Sequence, residues 1–487
     1  MKLYKYHYII ILLTVIAFSS CRKDFSASFA SKNLKFSADT IFLDTIFTNI
    51  GSSTRILKVY NQEDKWVKIP EIRLGNGDNS YYRINVDGRS GNIQKDIEIA
   101  PKDSIFVFIE TTIDYNNVSG NPLYVDSIIF EIGTTKQDVK LVTLVEDAYF
   151  LFPPKGSNSF LISDDLWTDK KPYVIYGAAV VDSAKTLHIQ AGARIHFHNN
   201  SSLIVYKAAS LRVSGELGKE VVFEGDRLEP EYSDVPGQWG SIWFYPTSRD
   251  NVIDYTIIKN GTVGIVVDTL GNSTNPTLRI RNTQIYNHSS VGLMARGSFV
   301  EGENVVINNC GQVSLALQIG GEYSFKHSTF VNYWNNEPRQ TPSVLVNNWY
   351  KSAGGLIISR DLKSAFFGNC IIYGNNEDEL VLSMDKGADF NYKFENNLIK
   401  YTNRKGELEF EIEGNPLFEN TLVNEEPLFW DEYINDLRIT SESPVIGKGS
   451  IDIANLVPKD ILGEKRNIAD KVDLGAYQNV EKPEEDK

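Results

Sequence analysis

The sequence predicts an all-β protein in which a β-sandwich is followed by a long β-solenoid. Three observations predict it. Between residues 251 and 402, short apolar runs recur with a period in the twenties and without helical periodicity. Between residues 34 and 150, alternating apolar and polar runs are separated by clusters of Gly, Asn, Asp and Pro. The 487 residues are 42% hydrophobic and 23% charged, the composition of a folded globular chain.

The solenoid units are Asp254-Tyr-Thr-Ile-Ile-Lys-Asn260, Asn282-Thr-Gln-Ile-Tyr-Asn287, Asn304-Val-Val-Ile-Asn308, His327-Ser-Thr-Phe-Val-Asn332, Asn369-Cys-Ile-Ile-Tyr-Gly374 and Asn396-Asn-Leu-Ile-Lys400. Each opens on a small polar side chain, crosses two or three apolar or β-branched residues and ends on a turn former. The leading positions 254, 282, 304, 327, 369 and 396 are spaced by 28, 22, 23, 42 and 27. One such unit cannot bury its apolar face alone. Coils stacked about 4.8 Å apart pair each backbone with its neighbours and bring like residues into columns. The Asn-rich column is expected to hydrogen-bond along the stack, the alternative being Asn at ordinary turns.

In the preceding region, strands are expected at Thr40–Phe47, Arg55–Tyr60, Trp66–Ile69, Tyr81–Val86, Ile105–Ile109, Asp126–Ile132 and Val139–Val145. The run Gly51-Ser-Ser-Thr-Arg-Ile-Leu-Lys-Val-Tyr-Asn61 and the turn Pro101-Lys-Asp-Ser-Ile105 resemble Ig-like domains of the Hydin and major-sperm-protein type. Downstream, Val180 to Phe197, Ser202–Tyr206, Leu211–Gly215 and Gly237-Gln-Trp-Gly-Ser-Ile-Trp-Phe244 resemble the opening coils of right-handed parallel β-helix proteins of the pectate-lyase-like superfamily. Trp239 is expected to pack a loop and Gly240 to permit close backbone approach. Asn435–Thr440, Ser443–Gly449, Asp460–Arg466 and Val472–Tyr477 resemble the closing segment of bacterial surface β-helix proteins, with Gly447 and Gln478 in place of acids. Those two replacements argue against a charged site there. The resemblance implies that the ends of the coil are covered.

The N-terminus reads as an address. Lys2 and Lys5 precede an apolar core from Tyr8 to Phe18, too short to span a bilayer. Phe18-Ser-Ser-Cys21 then resembles a bacterial lipobox. That implies a lipoprotein signal peptide over 1–20, lipidation (palmitate) on Cys21 and attachment of a soluble protein to a membrane. Arg22-Lys23 after the Cys resembles Gram-negative lipoproteins delivered to the outer membrane, on either face. The expected organisation is a tether over 21–33, the Ig-like sandwich over 34–150, a linker over 151–172 and the β-helix over 173–402. C-terminal coils and a closing segment follow over 403–478, with a solvated tail over 479–487.

A net charge of -14 argues against nucleic acid as a partner. It also repels acidic polysaccharides on average, unless a local basic groove prevails. Polygalacturonase-like and pectate-lyase-like enzymes carry Gly-His-Gly, Arg-x-Lys, Asp-His or paired-Arg signatures, and the chain has none of these. Glu301, Glu303 and Glu322 come close enough in coil register to suggest an acid pair or a calcium site, although solvated carboxylates explain them equally. His188, His196 and His198 alternate with apolar residues and are expected to face outward; His196-x-His198 has strand spacing for two metal ligands, but no third ligand is apparent, so the three read as exposed structural His. Cys310 and Cys370 fall in different columns and read as separate buried thiols, with a disulfide as the alternative. No metal or other cofactor is expected.

The 42-residue gap between His327 and Asn369 holds an insertion. Insertions in repeat arrays emerge on one face, often the binding face. Tyr333, Trp334, Trp349 and Tyr350 supply rings for stacking on sugars, and Arg339 and Arg360 supply cations for acidic groups. The competing reading packs the rings inside. Finally, Asp-Ser/Thr-apolar triplets at Thr40, Thr45, Ser104, Ser127, Ser183 and Thr269 resemble the O-glycosylation sequon of some Gram-negative envelope proteins, and also suit turns entering strands. Together these features suggest a non-catalytic envelope protein using its β-helix as a rigid platform for glycan or protein. The alternative is a polysaccharide lyase or glycoside hydrolase acting on the outer face.

Overall fold

The computed structural model describes residues 27–30, 32–118, 121–133, 135–268, 275–403, 410–466 and 471–479. The expected lipidation site Cys21 and the triplet residue Thr269 lie outside the described residues. The chain forms two compact units, Met1–Asp147 and Ala148–Lys487.

The first unit is a β-sandwich. One sheet orders Ser28–Phe29, Val67–Leu74, Leu123–Ile132, Thr135–Glu146 and Thr40–Phe47, with Ile93–Ile99 also on Val67–Leu74. The other orders Lys35–Phe36, Arg55–Tyr60, Ser104–Thr111, Tyr82–Val86 and Arg89–Ser90. Period-two alternation turns Leu57, Val59, Val107 and Ile109 inward against Ile69, Ile72, Phe130 and Leu141, all fully buried. The Tyr82 hydroxyl donates to Thr143 Oγ1 at 2.9 Å, tying one sheet to the other. One expectation is corrected here. The tether contributes a strand, because Ser28–Phe29 pairs with Val67–Lys68. Thr40–Phe47 lies parallel to Thr135–Glu146, so the sheet is mixed.

The second unit is a parallel β-helix. One face is a nine-stranded sheet running from Ser159–Ile162 to Leu380–Ser383, parallel throughout. A second, larger sheet carries the remaining two strands of each coil. The long strands Asn251–Lys259, Leu278–His288 and Phe299–Cys310 each bend at a left-handed residue in the middle. Residues at that bend are left-handed: Tyr255 (φ 42), Asn282 (φ 46), Asn304 (φ 52), His327 (φ 46), Asn369 (φ 55) and Asn396 (φ 52). Asn tolerates this region better than other side chains because its amide satisfies local groups. The column is hydrogen-bonded. Asn282 Nδ2 donates to Asp254 Oδ1 at 2.9 Å, Asn304 Nδ2 to Asn282 Oδ1 at 2.8 Å, and the Asn369 amide meets His327 Nε2 at 2.9 Å. Tyr255, rather than Asp254, takes the bend position, while Asp254 joins the ladder through its side chain.

Inside the coils, apolar residues stack along the axis. The rings of Phe367, Phe394 and Phe418 follow one another at 4.8 Å and 4.8 Å. Trp239 lies 4.3 Å from Phe197 and its Nε1 donates to Lys259 O at 2.8 Å. A Cβ on Gly240 would come within 2.0 Å of Ser202 Oγ and 3.0 Å of Ser201 O, the close approach expected of this position.

Residues 151–172 are not a linker. Tyr149–Leu151, Ser159–Ile162 and Asp165–Trp167 pair in register with the next coil and form the first one. The closing segment differs from expectation too. It returns along the flank, where Leu437, Ile439, Val445, Ile461, Leu474 and Tyr477 bury Val306, Val331, Ile371 and Leu398. It also holds charge: Arg466, Asp460 and Asp473 are fully buried. Burial lowers the Arg466 pKa to about 10 and raises both carboxyls.

Candidate functional site

The insertion after Thr329–Asn332 has two parts with opposite fates. Its first part folds onto the coil. Arg339 is buried and forks onto Glu379, with Nη2–Oε1 at 2.6 Å and Nη1–Oε2 at 3.0 Å. Their side chains are 2% and 0% exposed. Glu379 also accepts from Ser343 N at 2.7 Å and Asn376 N at 2.7 Å. Burial raises its pKa, and the Arg339 guanidinium opposes that rise. Such a pair fixes two loops to each other, because removing either partner leaves a buried charge.

Trp334 is only 9% exposed, its ring against the Gly311 turn, where a Cβ would stand 3.3 Å from Trp334 Cζ2. Tyr333 is half-buried against the C-terminal segment, 6.3 Å from the Phe429 ring. The expectation that Trp334 and Arg339 face a ligand is therefore corrected: both are interior groups. Arg339 is matched by a carboxylate 40 residues away that short-range sequence pattern does not connect to it.

The second part projects. Trp349–Lys351 pairs antiparallel with Ile357–Ser359 around Gly354-Gly355, forming a hairpin on the otherwise parallel coil. Its base is clamped. Asn348 Nδ2 donates to Asp385 O at 2.9 Å, Asp385 N returns to Asn348 Oδ1 at 2.7 Å, and Ser359 Oγ bonds Asp385 Oδ1. Trp349 Nε1 donates to Ser383 Oγ at 3.1 Å, so this half-buried ring props the hairpin against the coil. At the tip, Leu356 is 68% and Ile357 51% exposed, with Met384 41% exposed beside the base. Tyr350 is half-buried and Arg360 exposed at the foot. The structure thus groups Trp349, Tyr350 and Arg360 on one projection and separates them from Tyr333, Trp334 and Arg339. Sequence reasoning missed Leu356 and Ile357. The signal was present, since a Gly-Gly between two short β-prone runs is a hairpin mark.

The remaining candidates are structural or solvated. Glu301 and Glu303 pair with Arg279 (2.9 Å) and Arg281 (3.7 Å) of the preceding coil rather than with each other. His188 is exposed and His198 meets Asp226 at 2.7 Å, but His196 is buried against Gly225 O at 3.2 Å, contrary to the expectation for an outward side chain. Among the described residues, no group of three or more His, Cys, Asp or Glu is placed to hold a metal. Cys310 and Cys370 are separate buried thiols, and burial pushes both up to about 12. Asp103, Asp126 and Asp182 each accept from the backbone N–H of the following Ser104, Ser127 or Ser183. Ser183 is exposed, and Thr40 and Thr45 lie half-buried in a strand. No helix among the described residues is long and apolar enough to cross a membrane.

The fold defines an all-β class of protein, a β-sandwich joined in sequence to a parallel β-helix. No family model matches the chain, and no curated protein does. Among solved structures, a family 123 glycoside hydrolase from Clostridium perfringens, described through its glycolipid glycan hydrolysis, is similar at 10% identity. The match covers 22% of this chain and 23% of that one, with a TM-score of 0.17. The chain thus spans less than a quarter of the length of that enzyme.

Proposed function

We propose that this is a non-catalytic cell-envelope lipoprotein whose β-helix is a rigid platform for binding, with the 349–359 hairpin as its contact element. The observation that carries the proposal is the tip. Leu356 and Ile357 are large, apolar and exposed on a projection whose base is fixed by Asn348, Ser359 and Asp385. Exposed apolar groups on a rigid element favour association, because their burial is favourable and little ordering entropy opposes it. The flat face beside the hairpin supplies area, and Tyr350 and Arg360 supply polar contacts at its rim. In this reading a lipid on Cys21 tethers the platform to the outer membrane.

The test compares wild type with Leu356→Ser/Ile357→Ser for binding to isolated envelope fractions and to an array of neutral glycans. Polysaccharide digests are read in parallel for unsaturated products and new reducing ends. Binding lost in the variant, with no products, supports the platform. Products formed by both proteins establish the lyase or hydrolase alternative.

A further inference from the structure

A different surface points to a second site. In the sandwich, the sheet built on Arg55–Tyr60, Ser104–Thr111 and Tyr82–Val86 turns Leu57, Val59, Val107, Ile109, Tyr82 and Ile84 inward. Its outward positions ought to be polar. Instead Phe106 and Phe108 occupy successive outward positions of one strand, 39% and 38% exposed, with their rings 6.3 Å apart and inclined by 24°. Ile56, 50% exposed, is the cross-strand partner of Phe108, and Asn85 is its partner on the other side. The three apolar residues are therefore contiguous across two paired strands.

Polar groups frame this platform on a regular register. Lys58 is opposite Phe106, and its Nζ lies 5.1 Å from that ring. Arg83 is opposite Glu110. A depression of about 730 Å³ opens beside Phe108, lined among others by Thr54, Arg83, Asn85, Asn92 and Glu110. The Arg83 guanidinium is 3.8 Å from Glu110, and both side chains stay about half exposed, at 55% and 46%. At the outward strand positions of this sheet the cations Lys35, Lys58 and Arg83 face Glu110, and a second carboxylate, the exposed Asp87, lies at the turn whose N–H bonds Phe106 O. The chain as a whole carries -14. Three cations against two carboxylates on the face of so acidic a protein favour an anionic partner.

We infer that this face binds an acidic glycan, with sugar rings on Phe106, Phe108 and Ile56 and their carboxylate or sulfate groups on Arg83 and Lys58. Aromatic faces stack on the C–H face of a pyranose, amides and hydroxyls such as Asn85 and Thr54 match its hydroxyl groups, and a guanidinium forks onto a carboxylate or sulfate. A neutral glycan would leave the excess cations unmatched. A peptide strand would pair with a sheet edge, whereas these groups lie on the sheet face.

The site is independent of the hairpin proposed above. Full-length protein in detergent is titrated with a polyuronate, a sulfated glycan, a neutral glucan and anionic lipid vesicles at two salt concentrations. The expected result is salt-sensitive binding of one or both acidic glycans and none of the glucan. Phe106→Ala/Phe108→Ala should weaken it about tenfold or more. Arg83→Gln/Lys58→Gln, which leaves the apolar platform intact, should weaken it likewise and reduce its salt dependence. The polyuronate and sulfated arms separate the two anion types, and Leu356→Ser/Ile357→Ser should bind as wild type does. No acidic-glycan binding at low salt, binding unaffected by both sandwich variants, or vesicle binding equal to glycan binding would overturn the inference.

Discussion

Arg466 and Asn304 are 162 residues apart in sequence and joined in the fold, with Arg466 Nη2 donating to Asn304 Oδ1 at 2.6 Å. The same Asn304 donates to Asn282 at 2.8 Å and to Lys459 O at 3.0 Å. One ladder amide therefore links the stack of coils to the C-terminal segment. The pattern repeats: Asn369 exchanges hydrogen bonds with Ser450, at 3.0 and 2.8 Å, and Asn396 donates to Lys448 O at 2.7 Å. The column that shapes the bends also docks the returning chain.

Replacing Arg466 by Ala should therefore cost about 3–5 kcal/mol, the penalty of breaking a buried charged group. It removes the positive field from the buried Asp460 and Asp473 and leaves Asn304 Oδ1 without its donor. Urea denaturation reads the loss. Limited proteolysis should show new cleavage within 425–479, with the coils resistant. Unchanged stability would mean that the segment is not held through this contact.

The two tryptophans of the insertion should behave oppositely. Trp334→Ala should lose about 3–5 kcal/mol, as large-to-small core changes do. Trp349→Ala should lose about 1 kcal/mol or less, because its half-buried ring props a surface hairpin. Thermal midpoints of the two variants, measured side by side, check the difference. Equal large losses would place the hairpin in the core.

Much of the fold was legible because solenoids write their geometry locally. Asn282, Asn304, Asn369 and Asn396 each mark one bend, and the apolar run after each marks the wall. The fate of the insertion was not legible. Whether Trp334 or Trp349 is buried depends on Glu379, which neutralises Arg339 and lets residues 333–343 close onto the coil. That pairing spans a full coil and leaves no periodic trace. Nor did the resemblance of 435–477 to a closing segment reveal which surface it covers. That follows from Val306, Ile371 and Leu398 pointing outward from the wall, a parity visible only once register is fixed.

Acid should destabilise the β-helix through its histidines. Burial depresses His288 to about 4 and holds His327 well below its ordinary value. The unfolded chain, titrating at about 6.5, then binds more protons than the folded chain below that pH. Their contribution is complete above about 6.5 and is lost as pH falls toward the folded values, by at most about 1.4 kcal/mol per pH unit for each His. Asp460, Asp473 and Glu379, raised by burial, act in the opposite sense. Urea midpoints between pH 7 and about 4.5 should fall for wild type and fall less for His288→Gln. Identical slopes would exclude His288 as a source.

Membrane attachment should depend on Cys21. Cys21→Ala is expected to move the protein from the membrane to the soluble fraction, and mass spectrometry of the wild type should find lipid on that residue. Soluble wild type with an unmodified thiol would contradict the anchor.

The central proposal, a platform that makes contact through its hairpin, is tested most directly by site-specific photo-crosslinking in intact cells. A photoreactive residue is placed at Leu356 in one strain and, as a control, at the exposed Ser183 of the same β-helix in another. The platform reading predicts a discrete crosslinked adduct from position 356 and none from position 183. No adduct at 356, or the same adducts at both positions, would contradict it.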